Sequence, residues 1–135
     1  MRPSIVAAAL LVLSISGCSH YSPTVPSEAV SVVLAPGQSV SYRSLAVRFV
    51  GVTADSRCPA DATCLQFWAG DATVVVEASG AGAQARHELL INDTSKRRVS
   101  HGGFVLELTA LSPYPLASRP IAAGDYRATI VVRSE

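Results

Sequence analysis

An all-β fold is what this chain predicts: a small antiparallel β-sandwich of about seven strands, with a small β-barrel as the alternative. Three observations carry that expectation. Apolar residues recur with a period of two almost everywhere from residue 29 onward. Turn signals built from Gly, Pro, Asn and Asp separate these runs at a spacing of ~8–12 residues. No segment sustains a helical stripe, and the alanine-rich stretch 78–85 is interrupted by glycines, which are poor helix formers.

The elements follow in order. Residues 29–34 are valine-rich and stop at Pro36-Gly37, a turn signal, after which Val40-Ser41-Tyr42 begins a returning strand. Leu45, Val47 and Phe49 alternate with Ala46 and Arg48, which predicts a half-buried strand running to Val52 or Thr53. A loop over 54–63 comes next. Ala72, Val74 and Val76 then alternate with Thr73, Val75 and Glu77, and Ala85, His87 and Leu89 alternate with Gln84, Arg86 and Glu88. Ser79-Gly80-Ala81-Gly82 joins these two runs into a hairpin. Asn92-Asp93 marks another turn, residues 96–100 a short edge strand, and His101-Gly102-Gly103 a further turn. Phe104, Leu106 and Leu108 face one way in the following strand. Residues 112–120 hold three prolines and predict a long surface loop, and Tyr126, Ala128, Ile130 and Val132 define the closing strand. This count and spacing predict an immunoglobulin-like sandwich over residues 28–135.

Ahead of that domain the composition changes. Residues 5–15 form an apolar run behind Arg2, within the ~7–15 residues of a signal-peptide core and short of the ~20 that span a bilayer. Small residues then lead into a cysteine, as Ile15-Ser16-Gly17-Cys18. This resembles the lipobox of bacterial lipoproteins. The resemblance implies a leader over 1–17, cleavage before Cys18, and thioether and amino-group acylation of Cys18. Each buried methylene contributes about 0.8 kcal/mol, so several chains on one residue would hold the protein on a membrane. Ser19 in place of the Asp associated with inner-membrane retention favours the outer membrane of a two-membrane cell envelope. Residues 18–27, with two prolines and no periodicity, read as a flexible tether.

The charge is close to balanced. The 135-residue chain carries +1, and loss of Arg2 with the leader would leave 0. No basic excess directs it to nucleic acid. The run Lys96-Arg97-Arg98 reads as a solvated strand edge where charge blocks unwanted pairing, with a patch for an anionic envelope component as the alternative.

Cys58 and Cys64 are the remaining cysteines, and two thiols in an exported protein are expected to form a disulfide. So short a loop gains only ~2 kcal/mol in the chain-entropy model, so its effect is to fix one loop rather than to join two sheets. A zinc set of Cys58, Cys64, His87 and His101 is an alternative, although the cysteine spacing is not a usual one. Asp55, Arg57, Asp61, Trp68 and Asp71 surround the cysteines and form the candidate binding loop, with Arg57 able to pair with Asp55, Asp61 or Asp71. Asp55 and Ser56 are suited to capping loop amides. Asp55-Ser56-Arg57-Cys58-Pro59, then Cys64, then Trp68-Ala69-Gly70-Asp71-Ala72, resembles a pattern of small uncharacterised bacterial exported proteins and lipoproteins. The resemblance covers residues 49–76, implies a strand on either side of the motif, and brings no activity with it.

No catalytic constellation stands out. There is no Gly-x-Ser-x-Gly or His-Glu-x-x-His, His101-Gly102-Gly103 reads as a hairpin turn, and His20, His87 and His101 are scattered along the chain. Asp55, Asp61, Asp71, Asp93 and Asp125 all fall in loops and could meet at one end of a sandwich as calcium ligands, though without EF-hand spacing. Arg119-Pro120 resembles part of the Arg-Pro-Trp loop of chagasin-like protease inhibitors, with Ile121 in place of the Trp. The reading is a non-enzymatic lipoprotein of the cell envelope, needing no cofactor. It is anchored to the membrane and meets an envelope protein or glycan through the Cys58–Cys64 loop. The alternatives are a chagasin-like inhibitor and a calcium-binding sandwich.

Overall fold

The computed structural model describes residues 28–64, 70–80 and 82–135. The predicted leader, Cys18, the tether and Trp68 lie outside the described residues. Eight strands are present: β1 (Val30–Leu34), β2 (Ser39–Tyr42), β3 (Leu45–Asp55), β4 (Ala72–Gly80), β5 (Ala83–Leu90), β6 (Arg98–His101), β7 (Phe104–Ser112) and β8 (Arg127–Ser134). They form two four-stranded sheets, ordered β1-β8-β7-β6 and β2-β3-β4-β5, and every ladder is antiparallel.

The sandwich expectation therefore holds. Neighbours in sequence are neighbours in space within β2–β5 and β6–β8, so the wiring is two meanders with β1 added beside β8. An immunoglobulin domain instead exchanges strands between its sheets. The chain changes sheet twice, at Pro36-Gly37 and between β5 and β6. Gly37 holds φ +85° in the first crossing and donates its amide to the Phe49 carbonyl.

The inward positions read from the alternation are the core. Leu45, Val47, Phe49, Val74, Val76 and Leu89 from one sheet meet Leu106, Leu108, Ile130 and Val132 from the other, all almost wholly buried. Each such side chain contributes roughly 1.5–3 kcal/mol on leaving water. Tyr42 and Phe104 close one end of this core edge to face, with centroids 6.0 Å apart.

Two differences from the sequence reading have local causes. β3 runs on to Asp55 because register shifts fall between Phe49 and Gly51 and between Val52 and Ala54. Each bulge inserts an unpaired residue and flips the alternation, so the period of two fades before the strand ends. The edge strand is Arg98–His101 rather than 96–100. Lys96 and Arg97 instead make the crossing, where their carbonyls accept from the Leu90 and Leu108 amides.

The two ends of the sandwich differ. One carries the tight turns β2–β3, β4–β5 and β6–β7, and the chain enters beside it, where Tyr42 Oη donates to the Glu28 carbonyl. The other carries the long connections β3–β4, β5–β6 and β7–β8. β3, eleven residues long, spans the distance between them, roughly 30 Å at a strand's rise per residue.

Candidate functional site

The loop end is organised by one buried cation. Arg57 follows β3 by two residues, and its side chain is only 3% exposed beside an Asp55 side chain at 10%. The two form a fork: Arg57 Nε donates to Asp55 Oδ1 at 2.8 Å and Nη2 to Oδ2 at 2.6 Å. The remaining donors reach the other sheet. Nη1 donates to the Leu111 carbonyl at 2.9 Å and Nη2 to the Pro113 carbonyl at 3.1 Å. The guanidinium also lies 5.2 Å from the centre of the Tyr114 ring. Tyr126 Oη donates to Asp55 Oδ2 at 3.0 Å and so brings in the start of β8.

Electrostatics follow from this geometry. Burial works against the Asp55 carboxylate, yet the hydrogen bonds and charge of Arg57, with the Tyr126 hydroxyl, outweigh it and lower its pKa. The bond to Asp55 raises that of Arg57 in turn. Burial and the same carboxylate push the Tyr126 phenol up. Of the three partners the sequence left open for Arg57, the structure selects Asp55.

Asp61 and Asp71 hold the rest of the end together through amides. Asp61 accepts from Ala117 N at 2.6 Å and from Ser118 Oγ at 2.9 Å, which joins the disulfide loop to the proline-rich loop. A bond from Ala60 N to the Pro115 carbonyl runs parallel to it. Asp71 Oδ1 accepts from the Ala72 amide at 2.8 Å and the Asn92 amide at 3.0 Å, tying β4 to the loop after β5. Ser56 clasps the Asp71 backbone from both sides. Gly70 makes that clasp possible: it holds φ +62°, and a Cβ there would lie 1.9 Å from the Ser56 carbonyl oxygen.

Cys58 and Cys64 form the predicted disulfide, with Cα atoms 6.0 Å apart. Their sulfurs are thereby removed from the zinc set considered above. The five aspartates do lie at the same end, although Asp55 closes β3 rather than sitting in a loop, and the carboxylates of all but Asp125 are spread over separate tasks. Asp55 faces Arg57, Asp61 and Asp71 face amides, and Asp93 accepts from Ser95. Among the described residues no three His, Cys, Asp or Glu side chains converge as a metal-binding set.

The histidines require a correction. They are not all scattered: His87 Nε2 lies 3.1 Å from His101 Nδ1, with the rings edge on. His101 is the last residue of β6 rather than part of the turn. Both occupy inward positions on edge strands of opposite sheets, and period-two reasoning cannot say which edges of two sheets will face one another. Burial and the neighbouring ring lower the His87 pKa.

The basic run is also more organised than a bare solvated edge. Glu107 lies 3.5 Å from Arg97, 3.6 Å from Arg98 and 3.6 Å from Arg133, while Lys96 lies 4.0 Å from Asp93.

The proline-rich loop carries a feature that the sequence reading missed. Residues 112–121 and the 3-10 turn Ala123–Asp125 enclose a groove of about 490 Å³. Tyr114, Leu116, Arg119, Ile121 and Asp125 are among its walls. The three prolines of this loop were the available signal, since they announce a rigid loop but not a concave one. No family model, curated protein or solved structure matches this chain.

Proposed function

We propose that this protein is a membrane-anchored lipoprotein of the bacterial cell envelope, and that its sandwich is a non-catalytic binding module working through the Cys58–Cys64 end. The observation that carries this reading is the buried Arg57. A buried ion pair is a costly way to gain stability, because desolvation offsets much of the attraction. Here the pair joins β3, the end of β7 and the start of β8, and so fixes the shape of loops that strand pairing alone would leave free. Binding residues are disproportionately found on loops held by a rigid scaffold.

The position of the loop end supports the same reading. The chain enters beside the tight turns, so an anchor at Cys18 would leave the long loops roughly 30 Å away on the far side of the domain. Asp55, Arg57, Asp61 and Asp71 act as the frame of this surface, and the proline-rich loop is what they present.

Site-specific crosslinking in cells tests the proposal. A photoreactive residue replacing Ala60 or Ala117 at the loop end is expected to capture a defined envelope component, and one replacing Gln84 beside the tight turns is not. Equal capture from both ends, or none from the loop end, overturns the reading. Mass spectrometry of the cellular product tests the anchor, with acyl mass expected on Cys18.

A further inference from the structure

Resting on that reading, we propose that the groove between the proline-rich loop and residues 123–125 binds a neutral saccharide, with a sugar ring on Tyr114 and its hydroxyls held by Arg119 and Asp125.

Three observations select this ligand class. The first is the platform. Tyr114 is 55% exposed, while the Arg57 guanidinium is held against its ring by Asp55 and two backbone carbonyls. The ring is thus steadied from within the protein and bare toward the groove. A flat, pre-positioned aromatic surface suits an amphipathic ring at little cost in ordering. Leu116 and Ile121 extend its apolar area.

The second is charge. Arg119 and Asp125 both line the groove, both are exposed, and neither side chain has an ion-pair or hydrogen-bond partner among the described residues. One guanidinium and one carboxylate leave the groove with no net charge, which disfavours an anion or a cation. Together they supply donors and acceptors in the combination that hydroxyl groups, donors and acceptors themselves, can satisfy.

The third is what the backbone withholds. A bound peptide is usually gripped by main-chain hydrogen bonds. Across residues 113–120, Pro113, Pro115 and Pro120 have no N–H. The amides of Ala117 and Ser118 are taken by Asp61, and that of Arg119 by the Leu116 carbonyl. Leu116 is bridged antiparallel to Arg119, so across this stretch Tyr114 alone keeps an amide for a ligand. A partner recognised through side chains and a ring face fits this surface better than an extended chain.

The test is an NMR titration of the isotopically labelled, purified full chain in detergent micelles. The probes are cellopentaose, maltopentaose, mannopentaose and tetra-N-acetylchitotetraose, with a proline-rich peptide as a separate arm. At least one oligosaccharide is expected to shift the Tyr114, Leu116 and Ile121 resonances saturably, with Kd of about 0.1–1 mM, as suits a shallow single site. Tyr114→Ala is expected to weaken that binding at least tenfold. Asp125→Asn and Arg119→Gln, which break no internal contact, are expected to weaken it several-fold with an unchanged melting curve. Absence of shifts with every oligosaccharide at ~10 mM overturns the proposal, as does binding that ignores all three substitutions. Saturation of the same resonances by the peptide alone overturns the saccharide assignment and leaves the binding-module reading standing. Crosslinking that is blind to the loop end removes that reading itself.

Discussion

Replacing Arg57 by Met should unfold the loop end from within. Methionine keeps most of the buried volume and removes every side-chain donor. Asp55, its side chain only 10% exposed, would keep the Tyr126 hydroxyl at 3.0 Å and the residue-57 amide at 3.3 Å, and would lose both charged bonds. The Leu111 and Pro113 carbonyls would lose their donors as well. Removing one partner of a buried pair costs about 3–5 kcal/mol. The 108 residues of the domain (135 − 27) imply a total stability of roughly 5–15 kcal/mol, so the loss is a large fraction of it. At ~4–8 °C per kcal/mol, Tm should fall by about 12–40 °C. Circular dichroism melts and urea unfolding of the purified protein would measure this. Asp55→Asn combined with Arg57→Met removes both charges and should recover at least ~1.5 kcal/mol relative to the sum of the single losses. The acid limb provides an independent check. The lowered pKa of Asp55 means that its contribution is complete above its ordinary value of 3.8 and is lost as pH falls below it, a slope the Arg57→Met variant should lack. A loss under ~1 kcal/mol, or single losses that simply add, would refute the account of Arg57 as the organiser of the loop end.

Other outcomes follow from the same structure. Gly70→Ala forces a side chain into positive φ and against the Ser56 carbonyl, so urea unfolding should show a loss of at least ~2 kcal/mol, whereas Gly37→Ala, with open space at its Cβ, should lose only its backbone strain of about 1 kcal/mol. Reduction of the Cys58–Cys64 bond should lower Tm by about 10 °C, from a gain of ~2 kcal/mol for so short a loop, and leave the sheets folded by circular dichroism. The folded pKa of His87 lies below its ordinary 6.5, so the unfolded chain protonates first; stability should be full above about pH 6.5 and decline below it, and His87→Phe should flatten that decline in pH-dependent melts. Glu107→Gln leaves Arg97, Arg98 and Arg133 without their shared carboxylate and should cost about 1–2 kcal/mol, less at high salt.

Period two read along β8, and along β7 as far as Leu108, identified the buried side chains, because an antiparallel strand with one wet face must alternate. A register shift after Leu108 then turns Leu111 inward, and central β4 buries Val75 as well as Val74 and Val76. Period two also failed in β3, where bulges at Val50 and Thr53 reverse the alternation; Gly51, a lone glycine inside the strand pattern, was the available signal for the first of them. At the loop end, a motif with Asp, Arg and paired Cys marked the segment that holds the disulfide and the buried ion pair. What it could not reveal was direction. Arg57 points inward because the Leu111 and Pro113 carbonyls await it from the end of β7 and the loop after it, 54 and 56 residues away in sequence, and no local pattern encodes that meeting. The pairing of His87 with His101 was hidden for the same reason: it depends on how two sheets face each other.

The loop residues most conspicuous in the sequence turn out to serve the frame, and this reorders what counts as evidence for binding. Asp55 and Arg57 satisfy one another, and Asp61 and Asp71 satisfy amides, so substituting any of them should act first on stability. The groups left with unspent hydrogen-bonding capacity, Arg119 and Asp125, lie in the loop that this frame supports, beside the exposed face of Tyr114. A binding test aimed at the frame would therefore report unfolding as loss of ligand. One aimed at residues 119 and 125 separates the two, because their side chains hold nothing else in place. If substitution there abolished envelope crosslinking at an unchanged Tm, the surface would be assigned to the proline-rich loop and the disulfide loop to its support. If only frame substitutions had any effect, the ligand would have to contact the disulfide loop directly.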